Sequence, residues 1–215
     1  MSKLYPKSKV EIEGFLARHY GTLLNLATLG KYRGFIKRAV EEMAIEPDDA
    51  VVDLGAGPGY NVQFMLEHLG PGGRVLGLDI GDEVISIFRK RFDGLKNVEI
   101  EKRRVDQPLP YEDSFDKALV SFVIHGLPHP AREKLLDNAK KILKEEGRLF
   151  ILDYGEFDPA DLPLHLRLPF KALECKYAFD YVERDWGEIL TKKGFKVSDR
   201  HSYFGEFAQL LIAEN

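Results

Sequence analysis

Apolar positions along the chain follow two different periods. The runs AVVDL (50–54), RVLGLD (74–79) and RLFILDY (148–154) are nearly continuous, as in strands covered on both faces. Between them apolar residues recur every three to four positions. The spacing predicts helices over residues 8 to 29 and 33 to 44, the second with Phe35, Ile36, Ala39, Val40 and Met43 on one face. Val62, Met65, Leu66 and Leu69 mark a helix that stops at the GPGG stretch, and Asp82 is placed to cap one carrying Val84, Ile85, Phe88 and Phe92. VEIEKR and DKALVSFV read as a third and a fourth strand, and PAREKLLDNAKKILKEEG as the helix before the fifth. Such alternation means an α/β sheet, mostly parallel, with helices on both faces.

After Tyr154 the rhythm fails. Residues 155 to 182 are rich in proline and large apolar side chains, and a connection that long in a compact domain is usually functional. A lid is expected there, closing with the N-terminal helices (1–46) over one crevice; a dimer surface is the other reading. The tail then gives a helix ending near Gly194 and two strands, FKVSDRHSYF and EFAQLLIAE, joined by a short turn at Gly205 into a hairpin.

Composition narrows the partners. At 215 residues the chain suits a single domain, and a net charge of −4 leaves no basic footprint for nucleic acid. Cys175 has no companion for a disulfide. No run is apolar enough for an integral membrane segment and the N-terminus lacks a signal-peptide pattern, so a cytoplasmic protein is expected.

The chemistry begins at DLGAGPGYN (53–61). In an open parallel sheet ligands sit beyond the carboxyl ends of the strands, and bare glycines there let the backbone approach closely. Asp79 ends the next strand, where a ribose hydroxyl pair would be held. A dinucleotide fingerprint fits Gly55 and Gly57 but would need its third glycine at Tyr60. The pattern is instead Asp53-x-Gly55-x-Gly57-x-Gly59, with an acid before the loop that suits a cationic ligand and would repel a pyrophosphate.

This pattern resembles motif I of the class I S-adenosylmethionine-dependent methyltransferases. The resemblance runs from about residue 47 to the C-terminus through LGLDI, RRVDQPLPYEDSFDKALVSFVIHGLPHP, LKEEGRLFILD and the terminal hairpin, with Glu146 where the family often has glycine. It implies a Rossmann-like three-layer α/β/α sandwich with seven strands, the last antiparallel. It also implies S-adenosylmethionine as cofactor, with S-adenosylhomocysteine as product. Asp53 and the backbone of Gly55, Ala56, Gly57 and Gly59 would surround the methionine part. Asp79 would take the ribose hydroxyls, Ile80 would pack on adenine, and Asp106, with Gln107 beside it, would take the adenine amino group. Ser121 would line the sulfonium side.

HYGTLLNLATLGKYRGFIKRAV resembles the start of the ubiquinone/menaquinone biosynthesis C-methyltransferases, through Tyr20, Asn25, Gly30 and Arg33. That likeness implies a small hydrophobic or aromatic acceptor, a quinone precursor or lipid-like molecule, with Tyr20 at its site. An oxygen or carbon acceptor needs a base. His125 after the fourth strand has a suitable ordinary pKa of about 6.5, and Tyr154 could orient the acceptor. His129 lies four residues on, but Pro128 and Pro130 break the helical spacing a metal pair would need, and no metal is expected. The competing readings are an NAD-dependent oxidoreductase, which would use the same Asp79, and a catalytically idle cofactor-binding protein.

Overall fold

The computed structural model describes Ser8 and residues 30–215. Apart from Ser8, the helix expected over residues 8 to 29 lies outside the described residues, as do Tyr20 and Asn25. The described elements are helix α1 (Tyr32–Glu41), β1 (Ala50–Leu54), α2 (Tyr60–Met65), β2 (Arg74–Asp79), α3 (Asp82–Arg91), β3 (Val98–Lys102) and β4 (Phe115–Ser121). A 3₁₀ turn (Ile124–Gly126) leads to α4 (His129–Ile142) and β5 (Leu143–Tyr154). Helices α5 (Leu164–Leu173), α6 (Lys176–Val182) and α7 (Trp186–Lys192) precede the hairpin of β6 (Lys196–Tyr203) and β7 (Ala208–Glu214).

The seven strands lie in the order β3-β2-β1-β4-β5-β7-β6. β1 to β5 pair in parallel, and β7 runs antiparallel to both β5 and β6. Alternate residues of β1 enter different cores. Val52 and Leu54 pack with Leu135, Leu136 and Trp186 from α4 and α7. Val51 packs with Ile36, Val62 and Phe88 from α1, α2 and α3. Both faces of the central strands are therefore dry, which is why their sequences are continuous rather than alternating. Among the described residues no helix is long and apolar enough to cross a membrane.

Three local expectations change. Asp82 does not cap α3: Gly81 holds the cap position, and Asp82 is the first helical residue, bonded through its carboxylate to Lys102 Nζ at 2.6 Å. The segment LKEEG is not the end of α4. The helix stops at Ile142, and Leu143 begins β5, fully buried and paired with Phe115, while Lys144 binds the Asp116 carboxylate. Helical propensity in LKEE is overridden there by a place in the sheet. The long segment after β5 is not loop throughout, since α5 and α6 occupy much of it.

That segment is fastened by one buried cation. Arg132 on α4 is fully buried although Glu133 and Lys134 follow it in the sequence. Its guanidinium donates to the carbonyls of Ile124 and His125 at 3.0 Å each, to that of Tyr177, and to the Asp180 carboxylate at 2.7 Å. The rings of Tyr181 and Trp186 lie 5.4 and 5.8 Å from its carbon. Planar, many-donor geometry lets one side chain tie the 3₁₀ turn to α6. Arg132→Leu should strand those carbonyls and lower stability by roughly 3 kcal/mol. Denaturant unfolding measures the loss. Hydrogen exchange should show residues 176–182 losing protection while β3 at the far edge keeps its own; uniform loss along the chain would contradict this.

Candidate functional site

β1 and β4 are neighbours from which the chain continues in opposite directions across the sheet, so a crevice opens beyond their carboxyl ends. The turn after β1 is drawn over β2, with the Gly55 and Ala56 N–H groups both donating to the Leu78 carbonyl at 2.8 and 3.0 Å. Gly55 has φ +97°, and a Cβ there would stand 2.4 Å from Val123 Cγ2. A Cβ at Gly59 would stand 2.4 Å from the Phe92 ring. Those two glycines serve packing. Gly57 differs: a Cβ on it would meet nothing within 4 Å, so the middle of the turn faces open space. Tyr60, where a dinucleotide loop would carry its third glycine, instead starts α2 with the Arg91 guanidinium 4.2 Å from its ring.

Two carboxylates flank this turn. Asp79 accepts the Gly57 N–H at 2.8 Å through one oxygen, and the Ile80 and Gly81 N–H groups at 2.7 and 2.9 Å through the other. Burial raises its pKa even against those three donors. Asp53 is fully buried on the same side of the sheet. Asn61 Nδ2 donates to one of its oxygens at 3.2 Å, and the other oxygen has no partner among the described residues. Burial pushes its carboxyl up to about 7; the Asn61 bond opposes the shift and the Asp79 charge adds to it. A buried carboxylate with one bare oxygen and, among the described residues, no counter-charge is a site that a cation would relieve.

The crevice beside these groups has about 430 Å³ of empty space, open to solvent, between Gly55, Asp79, Ile80, Asp106, Val123 and Leu127. Asp106 is buried and held by Arg104 through two bonds of 3.0 and 2.8 Å. Ala56 is buried next to Gly77 of β2 and does not line the crevice. Gln107 is exposed, and its carbonyl accepts from Asn138 Nδ2 at 2.7 Å. Ser121 ends β4 opposite Leu152, half-buried and outside the lining.

A second polar group lies on the other side of the turn that carries Val123 and Leu127. His125 Nδ1 is 2.7 Å from Asp153 Oδ1, and its Nε2 is 3.7 Å from Glu174 Oε2. Tyr154 donates its hydroxyl to Glu174 Oε1 at 2.8 Å and meets the His125 ring edge-on at 4.9 Å. Burial alone would lower the His125 pKa, but the Asp153 carboxylate, with Glu174 behind it, outweighs burial and raises it. His129 does not join this group: it is the first residue of α4, and burial lowers its pKa. Among the described residues no three His, Cys, Asp or Glu side chains form a metal cluster.

Asp153, Glu174 and Asn61 were not singled out from sequence. Asp153 carries the signature of Asp53 and Asp79, an acid closing an apolar strand, and could have been found by it. Glu174 sits in an aperiodic stretch and gives no such signal. Rings crowd the same region: Phe122, Phe170 and Phe207 stand 6.1, 5.2 and 5.2 Å from Tyr154, and Phe35 packs on Phe122, Tyr203 and Phe204.

Comparison with known proteins agrees with this architecture. The family described as "Methyltransferase domain" matches residues 45–194. A demethylmenaquinone methyltransferase from Lactobacillus johnsonii is 29% identical over 144 residues, 66% of this chain and 58% of that protein. A ubiquinone/menaquinone biosynthesis C-methyltransferase from Hydrogenovibrio crunogenus is 24% identical over 66% of this chain and 56% of that protein. The chain thus spans a little over half the length of these two relatives. A solved SAM dependent methyltransferase from Aquifex aeolicus superposes with a TM-score of 0.65 at 22% identity, covering 83% of this chain and 88% of that one, a likeness of fold. The chain belongs to the methyltransferase-domain family, with the mostly parallel seven-stranded sheet and antiparallel last strand that the class I S-adenosylmethionine-dependent resemblance implied.

Proposed function

We propose that this protein transfers a methyl group from S-adenosylmethionine to a small, hydrophobic or aromatic acceptor. The observation that carries the reading is Asp53: a buried carboxylate with one bare oxygen, at a glycine turn whose middle is open. An anionic dinucleotide pyrophosphate would be repelled there, whereas the ammonium and sulfonium of S-adenosylmethionine supply the missing positive charge. When bound, the cofactor supplies a methyl group on a cationic sulfur. Asp79 would hold the ribose hydroxyls, Ile80 would pack on adenine, and Asp106, held by Arg104, would take the adenine amino group. Gln107 would lie beside the adenine contact and Ser121 would face the sulfonium side, as the family resemblance implies.

On the acceptor side, residues 155–182 form a lid over the crevice, and Tyr20, outside the described residues, is the acceptor contact that the sequence resemblance implies. The aromatic wall around Tyr154 favours a flat, apolar molecule, and the names of the quinone-biosynthesis relatives support a quinone precursor as first choice, with a lipid-like acceptor next. With its Nδ1 proton donated to Asp153, neutral His125 keeps the Nε2 lone pair to take a proton from the acceptor. Tyr154 orients the acceptor, and the closed lid excludes water. The acceptor partner is a small molecule. Transfer of labelled methyl from S-adenosylmethionine to a panel of quinols, phenols and lipids tests the reading, and absence of transfer to every member would count against it.

Asp79→Ala should weaken S-adenosylmethionine binding about 10- to 100-fold, ~1.4–2.8 kcal/mol, with the circular dichroism spectrum unchanged. Unaltered affinity would remove Asp79 from the site. Asp53 makes a pH-dependent prediction. Its folded pKa, about 7, lies above the unfolded value, so burial costs stability increasingly from about pH 4 to about pH 7 and by a constant amount above. The Tm advantage of Asp53→Asn over the parent should therefore grow across that window while its cofactor affinity falls. A Tm difference independent of pH would mean that Asp53 does not titrate there. For His125 the raised pKa puts the rising acid limb of the pH–rate profile above pH 6.5; a limb below that value would mean another base.

A further inference from the structure

The group around His125 has more carboxylate than a proton acceptor needs. Asp153, buried at the end of β5, already fixes the ring through Nδ1 and accepts the His125 backbone N–H at 3.3 Å. Glu174 stands on the other side of the ring, from the junction of α5 and α6 in the inserted segment. Its Oε1 is held by Tyr154, but its Oε2 stops 3.7 Å from His125 Nε2. That is beyond hydrogen-bond reach, and the two atoms are close enough for one oxygen at about 2.8 Å from each to bridge them. Side chains of His125 and Glu174 are only 14% and 17% exposed, so water competes weakly.

Among the described residues, several elements supply the charges that face this gap. β5 supplies Asp153 and Tyr154, the insertion supplies Glu174, and α6 supplies Tyr181, whose ring is 6.5 Å from His125 and whose hydroxyl burial keeps neutral. Arg132 of α4 is the nearby cation, and it is engaged with Asp180 and three carbonyls. With His125 protonated the immediate group carries one net negative charge, and with His125 neutral it carries two. A carboxylate or phosphate placed in the gap meets like charge; a hydroxyl donates to Glu174 Oε2 and accepts from Nε2–H while His125 is protonated, and donates to Nε2 once His125 is neutral.

We infer that His125 Nε2 and Glu174 Oε2 together form a site for an uncharged, weakly acidic hydroxyl, a phenol or enol, and that Glu174 is the residue that rejects anionic acceptors. The inference rests on the methyl-transfer reading for where the acceptor lies. Seating the inserted segment thereby completes the site, because Glu174 arrives on it while His125, Asp153 and Tyr154 belong to the body.

The test uses histidine-labelled protein loaded with S-adenosylhomocysteine, with ¹⁵N NMR reading the His125 ring. 1-Naphthol should shift the Nε2 resonance, and 1-naphthoate, of the same shape but anionic, should need at least tenfold more ligand. In Glu174→Gln that gap should narrow to threefold or less, and the His125 titration midpoint should fall in the ligand-free protein because an opposing negative charge is gone. Glu174→Ala, which removes the carboxylate outright, should lower the midpoint likewise and serves if the first variant folds poorly. Naphthoate binding as well as naphthol, no response to naphthol at millimolar excess, or a midpoint unmoved by both variants would each overturn the inference. Failure of S-adenosylhomocysteine to bind would instead strike the methyl-transfer reading, with the ligand-free titration still reporting on Glu174.

Discussion

A carboxylate buried at the end of a central strand, with one oxygen left bare, is an arrangement that folding alone does not favour. Asp53 sits in that position because β1 ends under a turn tight enough to close over β2, with Gly55 against Val123 and Gly59 against Phe92. The turn seals the acid from water, and burial then holds its carboxyl near neutrality. Asp79 is arranged differently. It is half-buried at the crevice, and three backbone N–H groups meet it, one of them from Gly57. One acid therefore lacks a charge and the other is provisionally satisfied by the turn itself. A ligand carrying a cation and a diol answers both, and that pairing gives the crevice its chemical direction.

The group around His125 depends on a different device. Arg132 spends its donors on backbone carbonyls of the 3₁₀ turn and of α6, so the segment bearing His125 and the insertion bearing Glu174 are fixed to one cation. A cation at that depth is tolerable only because its donors are met and two aromatic faces lie beside it. Its consequence is positional: Asp153 and Tyr154 reach the His125 ring from β5 and Glu174 from the stretch just before α6, and Arg132 ties the turn that carries His125 to α6.

Much of this was legible in the chain. AVVDL and RVLGLD announced buried strands because both faces are covered, and Gly205 marked the hairpin between β6 and β7. The glycine turn and its two acids followed from their place at strand ends. What stayed hidden shares a cause: it is decided by tertiary partners rather than by local pattern. LKEE has helical propensity, but Leu143 finds Phe115 of β4 and extends. Arg132 looks like a solvent-facing residue of an amphipathic helix until α6 covers it. Glu174 lies in a stretch with no period, and only the Tyr154 hydroxyl gives it a place.

The central claim is that the crevice is built for a cationic nucleoside ligand, and parallel calorimetric titration of the protein with S-adenosylmethionine, S-adenosylhomocysteine and NADH tests it most directly. The account predicts heat of binding for the first two and none for the third. Binding of NADH alone would contradict it, since a pyrophosphate would then be lodged beside Asp53, the one group whose surroundings argue most strongly against it.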